Sequence, residues 1–213
     1  MEDDLDDEYT TCKVVLLGEA GVGKTSIISR YVTDTFSEVL MSTTGASFAD
    51  KKLDLDDEHK IKFQIWDTAG QERYRSLAKL FYQNAAVAIL VYDITRRESF
   101  EKLKNFWVKE IKENAPKDII LAVVGNKSDN YEFEVVSLKE GKQLAEEINA
   151  IFKSTSAMLS HGIDDLFKLI AQKFIDPDIK INEPTMTMKE MEFRKNIKLK
   201  KKKKGKEETK KCC

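Results

Sequence analysis

The stretch that most restricts the fold is CKVVLLGEAGVGKT, residues 12–25. Its first half is a continuous apolar run with no polar alternation, which predicts a strand buried on both faces. The run ends on Gly18 and opens at once on GEAGVGKT, a match to GxxxxGK[ST], followed by the helix-like TSIISRYV. A strand, a glycine turn and a helix in that order form a phosphate cradle. Glycines let successive backbone N–H groups curl around phosphate oxygens, and the helix N-terminus adds positive potential. The cradle would run through Glu19, Ala20, Gly21, Val22, Gly23, Lys24, Thr25 and Ser26. Lys24 would reach the terminal phosphates, and the Thr25 hydroxyl would bind Mg²⁺. An ordinary glycine turn is the bland alternative, and the strand and helix on either side argue against it. The pattern alone separates neither ATP from GTP nor a kinase from a hydrolase.

Further apolar runs, AVAILVYD (Ala86–Asp93) and IILAVVGN (Ile119–Asn126), alternate with segments of helical period. In SFEKLKNFWVKEI the apolar residues Phe100, Leu103, Phe106, Trp107 and Ile111 mark one face; Ser137 and Glu140 in SLKEGKQLAEEI are spaced as a capping box; Gly162–Ile175 forms a third helix. ASFADKKLDL and HKIKFQIWD flank a turn-like DDE and predict a hairpin. Strands interleaved with helices predict one α/β domain over 11–176, a parallel-rich sheet covered on both faces. With 213 residues the chain has room for one domain and its flanks. Residues 1–10 read as an acidic disordered arm, and 177–213 as a disordered polybasic tail.

The net charge of −1 conceals a division: residues 189–213 carry 12 Lys or Arg against 4 acids, a balance of +8, so the first 188 residues carry −9. A nucleic-acid-binding domain shows its basic surface on the folded part, so nucleic acid is not an expected partner. Cys12 is isolated and Cys212 and Cys213 are adjacent, which excludes a disulfide framework or CxxC zinc spacing and favours a reducing, cytosolic compartment. No window approaches the roughly 20 apolar residues of a membrane span, and no secretory signal precedes the fold.

WDTAGQER (Trp66–Arg73) and GNKSD (Gly125–Asp129) follow the cradle in that order. Together the three motifs resemble the small Ras-like GTPases over residues 12–175, and IWDTAGQERY and YDIT resemble the Rab branch, the endosomal Rabs in particular. The resemblance implies the P-loop small GTPase fold, a six-stranded, mostly parallel sheet. It implies that Asn126, Lys127 and Asp129 face guanine, whose ring N–H and exocyclic amine a carboxylate accepts; adenine would leave such groups unpaired, at about 1 to 3 kcal/mol each. The Lys127 stem would cover one face of the base and Phe36 the other. Ser156, Ala157 and Met158 stand where the family has Ser-Ala-Lys. The N–H of Ala157 can still meet the guanine carbonyl oxygen, but the lysine is replaced by a thioether.

The resemblance also implies that Thr43 closes over Mg²⁺, that Asp67 holds it through a water, that the Gly70 N–H bonds the γ-phosphate and that Gln71 orients the attacking water. Thr44 departs from the family's isoleucine. No obvious arginine finger is present, so turnover is expected to be slow until an activating protein supplies one. Phe48, Trp66 and Phe81 match the aromatic triad that Rabs show to effectors, with Phe81 where tyrosine is usual; the bland alternative is that half-buried aromatics on strands are core. An exchange factor, an escort or dissociation inhibitor and effectors are the other implied partners. The alternative is a GTP-binding scaffold without hydrolysis, against which Gln71 argues.

The terminal KLKKKKKGKEETKKCC, taken alone, suits a nucleic-acid arm, a nuclear address, a metal clip or a membrane anchor. On a Rab-like domain it resembles a double geranylgeranylation site at Cys212 and Cys213. Two lipid chains, or one with a polybasic patch, suffice for stable anchoring, and lysines favour an anionic cytoplasmic leaflet.

Overall fold

The computed structural model describes residues 8–38, 43–70, 75–179 and 192–197. The chain forms two compact units, Met1–Ile179 and Lys180–Cys213, and within the second a short helix occupies 192–197.

The first unit is a six-stranded sheet in the order β2-β3-β1-β4-β5-β6. Its strands are β1 (Thr10–Leu17), β2 (Ala46–Asp54), β3 (Lys60–Thr68), β4 (Val87–Asp93), β5 (Ile120–Asn126) and β6 (Ile151–Ser154). All neighbours pair in parallel except β2 and β3, which form the expected hairpin with Ala46 opposite Thr68 and Asp54 opposite Lys60. Every residue of β4 is buried, as its unbroken apolar run predicted, whereas β2 at the sheet edge is nowhere fully buried.

The helices are α1 (Lys24–Thr33), α2 (Arg75–Tyr82), α3 (Arg97–Lys102), α4 (Val108–Asn114), α5 (Leu138–Glu147) and α6 (Ile163–Ile175). Residues of β3 alternate between two helical layers. Phe63 lies edge-on to Phe167 of α6 at 5.4 Å, and Tyr31 of α1 stacks on that Phe167 at 3.6 Å. Trp66, three residues along and hence on the other face, meets Phe81 of α2 at 5.0 Å. Both faces of the sheet are therefore covered.

Ser137 caps α5 as expected: its hydroxyl accepts from the Glu140 N–H at 3.3 Å, and the Glu140 carboxylate accepts from the Ser137 N–H at 2.9 Å. The predicted helix around 99–111 departs from a plain α-helix. A π-helical turn, Leu103–Trp107, joins α3 to α4 and buries Leu103 and Trp107. The four-residue β6 and a 3-10 turn at Ser128–Phe133 complete the described residues of the unit.

Candidate functional site

The cradle, the start of β2, the end of β3 and the loops after β5 and β6 converge at one end of the sheet, where the parallel strands finish. A cleft of about 510 Å³ opens there, lined at one end by Ala20, Gly21 and Gly23–Ser26 and at the other by Asn126, Lys127, Asp129, Ala157 and Met158. Phe36, Thr43 and Gly70 also border it. The cleft lies outside the carboxyl ends of the strands, the usual ligand position in open α/β sheets.

Gly23 precedes α1 with φ 95°, and a Cβ there would lie 2.3 Å from Asn126 Nδ2. Only glycine permits both that backbone and that approach. The contact matters because Asn126 ties the two ends of the cleft together. Its Nδ2 donates to Val22 O at 2.9 Å, and its Oδ1 accepts from Thr155 Oγ1 at 3.1 Å.

Lys24 is 5% exposed, and its Nζ donates to Gly18 O at 2.8 Å and Glu19 O at 3.1 Å. Burial pushes its pKa down to about 8, while the charges of Asp67 and Glu19 resist and that of Arg96 assists. A buried ammonium facing neutral carbonyls lacks a full counter-charge, and a phosphate supplies one. Glu19 and Val22 do not line the cleft: the Glu19 carboxylate points to Lys102 Nζ, 3.3 Å away, and Val22 is buried in the core.

Beside Lys24 three oxygens gather. Thr25 Oγ1 donates to Asp67 Oδ2 at 2.6 Å and lies 3.0 Å from Thr43 Oγ1, which donates to the same Oδ2 at 3.3 Å. Burial pushes the Asp67 carboxyl upward, against the hydrogen bond from Thr25, the charge of Lys24 and the bond from Thr43. Its Oδ1 is buried with no hydrogen-bond partner among the described residues. Two hydroxyls and one carboxylate with an orphaned oxygen form a hard, oxygen-only donor set that fits Mg²⁺, a cation that keeps waters and takes substrate phosphates as ligands. Among the described residues no group of three or more His, Cys, Asp or Glu could hold a metal without such help.

At the other end of the cleft Lys127 adopts a left-handed backbone, φ 66°, and its Nζ pairs with Asp93 Oδ2 at 2.7 Å. Asp129 Oδ1 accepts from Ser156 Oγ, which in turn accepts from the Leu159 N–H at 3.1 Å. Ser156 does not border the cleft; it braces the Asp129 carboxylate. Ala157 is buried and Met158 is 46% exposed. Phe48 lies 5.2 Å from Trp66, which continues to Phe81, so the aromatic row runs from the edge strand to α2. Gln71, Cys212 and Cys213 lie outside the described residues.

Several contributors escaped the sequence reading, Thr155 behind Asn126 among them. Asp93 is paired in register with Asn126 across β4 and β5, and a lone acid closing a buried strand was the available signal. Arg96 Nη2 donates to Ala20 O at 2.6 Å, and Arg30 Nε donates to Ala157 O at 2.8 Å; nothing in the local pattern marks either arginine.

The pattern describing the Ras family matches residues 13–176. The chain is 46% identical to human Ras-related protein Rab-31 over 183 residues, 82% of this chain and 93% of that one. It is 46% identical to human Ras-related protein Rab-22A over 166 residues, 78% and 84% of the two chains. Fission yeast (Schizosaccharomyces pombe) GTP-binding protein ypt5 is 45% identical over 162 residues, 76% of each. With the two ends of the cleft joined through Asn126 on one mostly parallel sheet and the family pattern matched over residues 13–176, the chain belongs to the Ras family, on its Rab branch.

Proposed function

We propose that this Rab GTPase hydrolyses GTP to GDP and phosphate, and that it cycles between the two nucleotide states to recruit effectors in vesicle traffic on an endosomal membrane. The observation that carries the reading is one cleft with a buried, under-neutralised Lys24 at one end and a braced Asp129 carboxylate at the other. An ammonium for phosphates and an acceptor for guanine are held apart by a protein-internal tie.

In this mechanism the N–H groups of the cradle from Glu19 to Ser26 and the Lys24 ammonium neutralise the phosphates and hold them in line. Asp129 accepts the ring N–H and amine of guanine, the Ala157 N–H meets its carbonyl oxygen, and the Lys127 stem and Phe36 cover its faces. Gly70 donates its N–H to the γ-phosphate, and Gln71 orients the water that attacks it. Thr25, Thr43 and Asp67 would hold Mg²⁺, which supplies positive charge to phosphate oxygens. Among the described residues no arginine lines the cleft, and rapid turnover draws on an activating protein, worth about 10³ to 10⁵ in rate.

Thr43 and Gly70 both face the cleft, which supports a switch in which the γ-phosphate gathers their segments and its loss releases them. The row Phe48, Trp66 and Phe81 then offers effectors a surface whose shape follows the nucleotide. No described helix is long and apolar enough to cross a membrane. Lipid on Cys212 and Cys213, beside the lysines of 198–211, is the proposed anchor at the cytoplasmic face, with an escort protein maintaining a cytosolic pool.

Single-turnover cleavage of GTP with Mg²⁺ tests the reaction. Phosphate release above the buffer rate, accelerated by an activating protein, is expected; release at the buffer rate in both conditions reduces the protein to a GTP-binding scaffold. Partitioning of prenylated protein onto anionic liposomes, compared with the form in which Cys212 and Cys213 are serine, tests the anchor.

A further inference from the structure

Met158 stands where the family has a lysine, and it is half exposed. Another group must therefore fix this loop against the base. On its inner side Ser156 is held: it bridges to His161 by paired backbone bonds of 3.0 and 2.9 Å, and its hydroxyl connects the Leu159 N–H to Asp129. Those bonds fix Ser156 but leave the Ala157 and Met158 carbonyls to other partners.

Arg30 takes both. From the last turn of α1 its Nε donates to Ala157 O at 2.8 Å, and its Nη2 approaches Met158 O at 3.5 Å. The other edge of the guanidinium, Nη1, donates to the Asp34 carbonyl and to Asp34 Oδ1, each at 2.8 Å. Asp34 is the left-handed residue that ends α1, φ 51°, two positions before Phe36, which also lines the cleft. The side chain of Arg30 is only 15% exposed. An exposed pair one helical turn apart contributes little by itself, but here one rigid, planar fork joins two segments 127 residues apart in the chain. The Ala157 N–H shares one planar peptide with the Ser156 carbonyl, which accepts from the His161 N–H at 2.9 Å, so that bond sets its direction; by holding the next carbonyl on the α1 side, Arg30 fixes where that peptide stands relative to the base.

The geometry points to Arg30 as a positioning residue for guanine: bonded at once to Ala157 O and to Asp34, its guanidinium holds the Ala157 N–H against the 6-oxo oxygen of the base and limits nucleotide release. This rests on the guanine reading of the cleft. Lysine, a point charge, cannot reproduce a fork that serves both segments.

The test compares GDP with 6-thioguanosine diphosphate, which keeps the ring N–H and amine that Asp129 accepts but replaces the 6-oxo oxygen with a weakly accepting sulfur. Affinity and release rate are measured on the full chain as wild type, Arg30→Ala and Arg30→Gln; the glutamine form carries the measurement should the alanine form fail to fold. Wild type should prefer GDP by about tenfold, the value of one good hydrogen bond. In the variants GDP should leave about tenfold faster, 6-thioguanosine diphosphate should change much less, and the preference should fall to a few-fold at most. Variants that keep the wild-type preference, or that lose both nucleotides equally, overturn the assignment. A wild type that binds GDP without discriminating overturns the placement of Ala157 at the 6-oxo oxygen, and the clamp with it. A wild type that binds neither nucleotide refutes the guanine cleft itself.

Discussion

Filling the cleft should draw a proton from solvent, and the size of the uptake follows from Lys24. In the ligand-free cleft burial holds the Lys24 pKa near 8, against an ordinary 10.5. A phosphate beside the ammonium replaces the lost hydration and restores the charged form. At pH 9 the empty site is then about one-tenth protonated and the filled site almost fully so, an uptake of about 0.9 proton per nucleotide; at pH 7 it falls to about 0.1. The same difference makes the charged lysine roughly 3 kcal/mol less favourable in the empty fold than in the unfolded chain. The sign for folding follows: the depressed pKa of a base leaves the unfolded state binding more protons, so ligand-free stability rises from pH 8 to 10.5, and nucleotide removes that dependence. Calorimetric titration of GDP at pH 9 in two buffers of different ionisation enthalpy reads the uptake directly. GDP phosphates are fully ionised there, the Cys12 thiol, pushed up to about 12 by burial, stays neutral, and the uptake due to guanine's own ring N–H, partly deprotonated at this pH, is subtracted using the titration of free GDP. The heat should vary with buffer at pH 9 with a slope near one proton. A slope near zero at pH 9, with GDP bound, would refute the claim that Lys24 lacks a counter-charge in the empty site.

Replacing Asp129 by Asn should lower GDP affinity by about 10² to 10⁴, two charge-assisted hydrogen bonds, and give xanthosine diphosphate the advantage; competition titration shows the order. Gly70→Ala puts a Cβ 2.4 Å from Ala20 N and from the Glu19 carbonyl carbon, backbone atoms of the cradle, so GTP hydrolysis should fall about 10²-fold while GDP binding changes much less. Ser137→Ala removes the capping box of α5 and should cost about 1 kcal/mol in urea denaturation, with nucleotide affinity unchanged.

The parts of the fold legible in the sequence are those whose cause is local. The first strand, its glycine turn and α1 share one uninterrupted stretch, and Ser137 with Glu140 satisfies the start of α5 from within four residues. β6 was not legible because its IFKS carries Lys153, a residue foreign to buried strands; it is tolerated because its ammonium lies 3.4 Å from Asp165 of α6. The π-helical turn was hidden because Phe100, Leu103, Trp107 and Ile111 are spaced by three and four, as an ordinary helix would space them. At the site, Glu19, Val22 and Ser156 do not line the cleft, and Ser37, Glu38, Thr68 and Asn130 line it without having been singled out, but motifs named most of the residues facing it. What braces them comes from elsewhere in the chain: Arg30 behind Ala157, Asp93 beside Lys127 and Thr155 behind Asn126. Such partners follow from tertiary packing, which no spacing rule encodes.

The β2–β3 hairpin carries one last implication. Its ladder starts with Ala46 opposite Thr68 and is closed by the Ala69 N–H donating to Gly45 O at 2.8 Å. Thr43 lies just before one rail and Gly70 just after the other. A tug on either residue is thus felt at the same rung, and the two segments are geared together by backbone bonds alone. A protein that wedges this rung open would loosen both grips on the nucleotide in a single stroke, without ever touching the base.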